Sequence, residues 1–221
     1  GDDSISKSNA FTWNELRLTL HLPLIFFSLG MGLFAFLGRE KVLSRTGTKN
    51  YLLASPALQP LTNHTAHFAY YLKDLTYYVL MILTPVISGM AVGILLENFT
   101  TVRTPLEFSS LPRTWIAMGV TIAQGLAFSF LASSMWLLGG WIGRITPIFV
   151  IALGIVVGIG TIPREYFLWG LATQQPDGIL IAIPALATSV AVAYLASKLI
   201  QDDFEVKVVS KQEIFTPAYN R

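Results

Sequence analysis

Five stretches of the chain run for 19 to 29 residues without an Asp, Glu, Lys or Arg: Leu18–Gly38, Leu75–Leu96, Trp115–Gly143, Ile145–Pro163 and Gly178–Ser197. A helix needs about 20 mostly apolar residues to cross a hydrocarbon core about 30 Å thick, and each stretch meets that length. None alternates with the period of two that marks a barrel strand, so each predicts a helix. The expected fold is all-α, a polytopic transmembrane helix bundle with spans at 18–38, 75–96, 115–140, 145–163 and 178–197. A tail with an interfacial helix (1–17) precedes this transmembrane domain (18–200), and a C-terminal tail (201–221) follows it.

Composition agrees with that reading. Charged residues make up 13% of the 221 positions and hydrophobic ones 53%, whereas a soluble domain carries about 25% charge. An aromatic share of 12% also excludes a disordered chain. With no cysteine there is neither a disulfide framework nor a thiolate metal site. A net charge of +2, scattered along the chain, gives no footprint for a nucleic-acid partner. The expected partner is the lipid bilayer, and the expected location is an integral, multi-pass one.

Two segments sit at the edges of the spans. Phe11, Trp13, Leu16 and Leu18 form a one-sided apolar stripe beside Glu15 and Arg17, as expected of a short helix lying in the membrane interface. Arg164 to Asp177 contains the apolar patch Tyr166–Trp169 and is too short to cross. It reads as a re-entrant piece or an interfacial helix, and a re-entrant reading would raise the count to six crossings. For five spans, the loop after span one, the Arg144 turn and the C-terminal tail share ten Lys and Arg against five on the other face. Basic residues favour the cytoplasmic side, so charge alone places the N-terminus outside.

The chain lacks the motifs of common chemistries. There is no G-x-x-x-x-G-K-[ST], no G-x-S-x-G and no H-E-x-x-H. The expectation is therefore a non-enzyme without cofactor or metal. No Asp or Glu falls in a span, which argues against a proton pump or an ion-coupled carrier, since these bury an ionisable group at mid-depth. His64 and His67, at i and i+3, read as polar residues at a helix start rather than metal ligands. His21 heads the first span, and antiparallel spans put it on the opposite face from that pair, which argues against a haem held between them.

The segment "ENFTTVRTPLEFSSLPRTWIAMG", Glu97 to Gly119, is the most patterned. Its acidic residue at the end of span two, its Thr-x-Leu-Glu turn and its Ser-Leu-Pro followed by a basic residue stand in a fixed order before span three. In this it resembles the loop between spans two and three of ATP-binding-cassette (ABC) type-2 permeases, the membrane subunits of ABC exporters. "NELRLTLHLPLIFF", Asn14 to Phe27, is similar to that family's interfacial helix leading into span one. The resemblance covers roughly the first 60% of the chain without the 39–74 loop. It departs from the family in Arg103, where a Gly usually stands, and in five spans where the family has six.

The resemblance implies a permease working as a homodimer or heterodimer with a second permease and driven by a separate ATPase subunit. It implies an ATPase-coupling loop made of Glu97, Arg103, Thr104, Glu107, Pro112 and Arg113. Pro105 and Pro112 would bound a short helical segment, Leu106 to Leu111. It also turns the orientation round, with the N-terminus and this loop in the cytoplasm and the protein in the cell membrane. Thr121, Gln124, Ser129, Ser133 and Ser134 of span three would line a path or serve packing, and packing is the expectation for most, because small and hydroxylated residues mediate helix contacts in lipid. A different class of function also fits: a non-catalytic structural subunit of a respiratory or photosynthetic complex, docked through its C-terminal tail.

Overall fold

The computed structural model describes residues 13–46, 62–96, 106–138 and 160–200, with single positions at 99 and between 141 and 156. Every regular element among them is helical. Helix α1 is Trp13–Thr46. Helix α2, Asn63–Tyr78, passes through a π-turn, Val79–Leu83, into α3, Thr84–Leu96. A 3-10 turn at Phe108–Ser110 leads into α4, Leu111–Leu138. Two short helices follow, α5 at Arg164–Phe167 and α6 at Trp169–Thr173. A second 3-10 turn, Gly178–Ile181, opens α7, Ala182–Lys198.

Three helical stretches are long and apolar enough to cross a membrane: His64–Leu96, Phe108–Trp136 and Gly178–Lys198. The first and last contain the expected second and fifth spans, and Phe108–Trp136 covers the expected third, 115–140, as far as Trp136. Of the fourth, 145–163, eight residues lie outside the described ones, and its last four, 160–163, are turn and coil rather than helix; the C-terminal tail 201–221 and residues 1–12 lie outside the described residues. The expected first span lies within α1.

The helix ends differ from the sequence-based boundaries. Helix α1 runs unbroken from Trp13 to Thr46, so Trp13, Leu16 and Leu18 belong to the same helix as span one rather than to a separate interfacial element. Its 34 residues extend about 51 Å at 1.5 Å per residue, well beyond the apolar run. Helix α2 begins twelve residues before the expected Leu75, so Lys73 and Asp74 are helical. They pair at 3.4 Å, and Lys73 also lies over the Tyr70 ring. The apolar-run criterion missed these extensions because charge ends a run without ending a helix.

Helix α4 is the hub. Of its most apolar window 78% is buried, against 6% for His64–Leu96 and 28% for Gly178–Lys198. Helices α1, α6 and α7 all pack on it, and small residues set how close they come. Along α7 the buried residues Ala182, Ala185, Ser189, Ala193 and Ala196 recur at steps of three or four, while Ile183, Tyr194 and Leu195 face outward. That is the spacing of one helix face, and its smallness lets the backbones approach as in membrane helix pairs. The largest core cluster joins Leu24, Tyr71, Leu83, Met118, Ile122, Leu126 and Phe130, and Tyr71 donates its hydroxyl to the Ala123 carbonyl at 3.2 Å.

Gly125 marks the crossing of α1 and α4. A Cβ there would overlap the Ser28 hydroxyl, whereas one at Gly89 would meet nothing within 4 Å. Overpacking of this kind costs about 1–3 kcal/mol. Gly125→Val is therefore expected to lower the unfolding midpoint in detergent, and Gly89→Ala to leave it unchanged or slightly raised. Equal midpoints for the two variants would refute the packing assigned to α1.

Candidate functional site

A chain interrupted within an apolar bundle frees backbone groups that water cannot reach, and such breaks persist only where protein groups satisfy them. The break here is Leu168, between α5 and α6, with φ −101° and ψ 88°. Leu168 itself is fully buried, and its N–H reaches the Arg164 carbonyl at 2.7 Å. Its neighbours, the Phe167 carbonyl and the Trp169 N–H, are met by one side chain. The Gln124 amide donates to the Phe167 carbonyl and accepts from the Trp169 N–H, the latter at 3.1 Å. An amide side chain carries the donor and acceptor that a peptide needs, so Gln124 stands in for the missing helical partners.

Gln124 is at the midpoint of α4, 13 residues or about 20 Å from Leu111. The Arg164–Asp177 segment therefore packs beside the middle of the central helix. Gly170 makes this approach possible, since a Cβ there would overlap both the Thr121 hydroxyl and the Ala117 carbonyl.

A second polar group ties α1 to the same segment. His21 is completely buried, with Nδ1 2.6 Å from Thr121 Oγ1 and Nε2 2.6 Å from Gln174 Oε1. The Gln174 amide nitrogen donates to Thr114 Oγ1 at 3.3 Å. With that amide setting Gln174 Oε1 accepts from His21 Nε2. Thr121 Oγ1 also lies 3.1 Å from the Ala117 carbonyl. One imidazole thus joins α1, α4 and the residue after α6.

Arg17, one turn before His21, is 6% exposed. Burial lowers its pKa below the ordinary arginine value, and the Glu165 carboxylate offsets part of that effect.

The residues anticipated from sequence are distributed unevenly. Thr121, Gln124, Ser129, Ser133 and Ser134 are all buried. Ser129 donates to the Leu29 carbonyl of α1 at 2.8 Å, while Ser133 and Ser134 bond back to Ser129 and Phe130 of their own helix. Glu97, Arg103, Thr104 and Pro105 lie outside the described residues. The expected helical segment Leu106 to Leu111 is instead a three-residue 3-10 turn, with Pro112 and Arg113 already in the first turn of α4. Proline is tolerated there because the first N–H groups of a helix have no intrahelical acceptor.

The histidine pair is split. His64 lies 3.3 Å from Thr62 Oγ1 and 3.2 Å from Lys198 Nζ, whereas His67 is buried with its ring 4.8 Å from that of Phe130. His67 is thus a core residue rather than a polar residue at a helix start. Thr114 and Gln174 were not anticipated. Gln174 falls between spans, and the signal for it was the lone His21 on an apolar helix, which requires a buried partner.

Among the described residues no three His, Asp or Glu side chains gather to hold a metal ion. Comparison with models of protein families, with curated proteins and with solved structures finds no match. The chemistry available in this core is hydrogen bonding, and its work is to hold a broken helix in place.

Removing Gln124 leaves one donor and one acceptor buried, at about 1–3 kcal/mol each. A single interhelical side-chain hydrogen bond in a membrane bundle contributes only about 0.6–2 kcal/mol. Gln124→Leu is therefore expected to destabilise the fold more than Ser129→Ala, read as unfolding free energy in detergent. Equal effects would mean that Gln124 does not satisfy the break.

Proposed function

We propose that the chain is the membrane-spanning permease subunit of an ABC-type exporter in the cell membrane, receiving energy from a separate ATPase through the connector before α4. The observation that supports this reading is how the connector is held. Leu106 and Leu111 are buried at its two ends. Between them the Glu107 carbonyl accepts from the Ser110 N–H at 2.9 Å and from the Ser110 hydroxyl at 2.7 Å. The Glu107 carboxylate accepts from Ser109 Oγ at 3.1 Å. Phe108, 50% exposed, stands on this braced turn. With Ile87, Pro112 and Trp115 it borders an apolar groove at the foot of α4.

A braced turn with an exposed aromatic residue suits the transmission of a push into the central helix. Because α4 carries α1, α6 and α7, a displacement at its foot would reach the whole bundle. The outward face of His64–Leu96, of which 6% is buried within the chain, is available to lipid or to a second permease subunit. That face suits the dimer, homomeric or heteromeric, that the reading requires. Gln124 and Thr121 are engaged in packing, so the transported substrate would pass elsewhere, at the dimer interface.

The test is co-expression with a candidate ABC ATPase subunit. Phe108→Asp is expected to weaken association about tenfold or more, as for an aromatic hot spot. Glu107→Lys should leave helical content intact while uncoupling hydrolysis from transport. Unchanged association and coupled transport in both variants would refute the proposal.

A further inference from the structure

The contacts that each helix makes along α4 fix its direction. On α1, His21 meets Thr121, Ser28 lies over Gly125, and the Leu29 carbonyl accepts from Ser129, so the two helices run parallel. Helix α7 is parallel as well: Ala182 and Ala185 pack with Val120, while Ala193 joins the cluster of Leu126, Ala127 and Phe130. Helices α2 and α3 run the other way, since His67 meets Phe130, Leu83 lies beside Gly119, and Ile87 shares a groove with Leu111 and Pro112. One end of the bundle thus holds the start of α1, the connector at 106–110 and the start of α7. The opposite end holds the start of α2 and the end of α7, where Lys198 Nζ is 3.2 Å from His64 Nε2.

Between these ends the Arg164–Gln174 segment goes in and comes back. Arg164 and Glu165 line a cavity with Arg17 and Leu18, which precede His21 on α1 and so lie toward the connector's end. Phe167 and Trp169 reach Gln124, and the Phe167 ring stacks on that of Phe128 with centroids 6.4 Å apart. Gly170 then lies against Thr121 and Ala117, and Gln174 reaches Thr114. From Gln124 back to Thr114 is about 15 Å along α4, and the turn that opens α7 starts at Gly178.

We propose that residues 163–178 form a re-entrant hairpin. It enters from the connector's face of the membrane, turns at Leu168 beside the middle of α4 and leaves by the same face. Non-helical backbone is tolerated at that depth because protein covers it. The hairpin adds no crossing, so the six expected of a re-entrant reading do not follow. The return from the end of α4 falls to the expected fourth span, and α7 is the fifth and last crossing. Its end emerges opposite the connector, so a partner that grips the end of α7 and a partner of the connector act from different sides. This inference is independent of the exporter reading, since it names neither face and involves no ATPase.

The chain has no cysteine, so single cysteines can report which side each end occupies. Ser109→Cys on the connector, Asp177→Cys at the exit of the hairpin, Thr65→Cys at the start of α2 and Lys198→Cys at the end of α7 all replace exposed residues. Each full-length variant is labelled in sealed membrane vesicles with an impermeant maleimide, before and after permeabilisation. Ser109→Cys and Asp177→Cys should share one side, and Thr65→Cys and Lys198→Cys the other, reacting only when that side is opened to the reagent. Thr65→Cys leaves the Lys198 contact with His64 in place of its native partners and reports the same face should Lys198→Cys fail to fold. Leu168→Cys should stay unlabelled from either side until the protein is denatured. Reaction of Ser109→Cys and Asp177→Cys from opposite sides would overturn the proposal, as would reaction of Asp177→Cys from the same side as Thr65→Cys or Lys198→Cys.

Discussion

The peptide groups on either side of Leu168 cannot hydrogen-bond as a helix does, and they lie against the middle of α4, the most buried of the three candidate spans. Left alone, each would cost about 1–3 kcal/mol, a substantial part of the margin by which a fold of this size is stable. Gln124 removes that cost with one amide, and much of the rest follows. Once α5 and α6 can rest against α4, Gly170 sets their distance, Gln174 comes within reach of His21, and α1 is drawn to the same place. The polar groups of the core are therefore coupled through geometry: each is satisfied only where the others put it.

Around that pin the bundle is built by two simple rules. Where α1 and α7 approach α4 most closely, residues are small: Gly125 on α4 under Ser28, and the Ala and Ser row of α7; α2 meets α4 instead through Tyr71 and Phe130. Where helices face away from the chain, residues are large and apolar, such as Leu80, Met81, Val92, Leu95, Leu180 and Ile183. The apolar outer face agrees with three helices long and apolar enough to span a membrane. The π-turn at Val79–Leu83 joins the two halves of the outer helix and places Leu83 in the core, fully buried.

The helical class was legible from run length alone, because a lipid-exposed segment has few other options. Helix ends were not, since Asp74 and Lys73 can remain helical beside a span. Gln124 was visible as an amide in an apolar run, and its burial follows from that. Its partner was hidden, because the groups it serves belong to the backbone at Phe167 and Trp169 and leave no trace in side-chain type. His21 likewise announced that a partner existed without naming Gln174, 153 residues away. The connector shows the opposite case. Its Pro and Ser residues signalled a stiff turn, yet Leu111 to Arg113 proved to be the start of α4.

The polar core, with several mutually dependent contacts, ties α1, α4 and the Arg164–Gln174 segment together. The most direct measurement of that core is hydrogen exchange of the full chain in lipid nanodiscs, comparing the Arg164–Gly178 segment with the centre of α4. If Gln124 and His21 hold the broken helix inside the bundle, amides from Leu168 to Gln174 exchange nearly as slowly as those from Ala117 to Ala127. Exchange of Leu168–Gln174 within seconds, with α4 still protected, would place the segment at the surface and contradict the account.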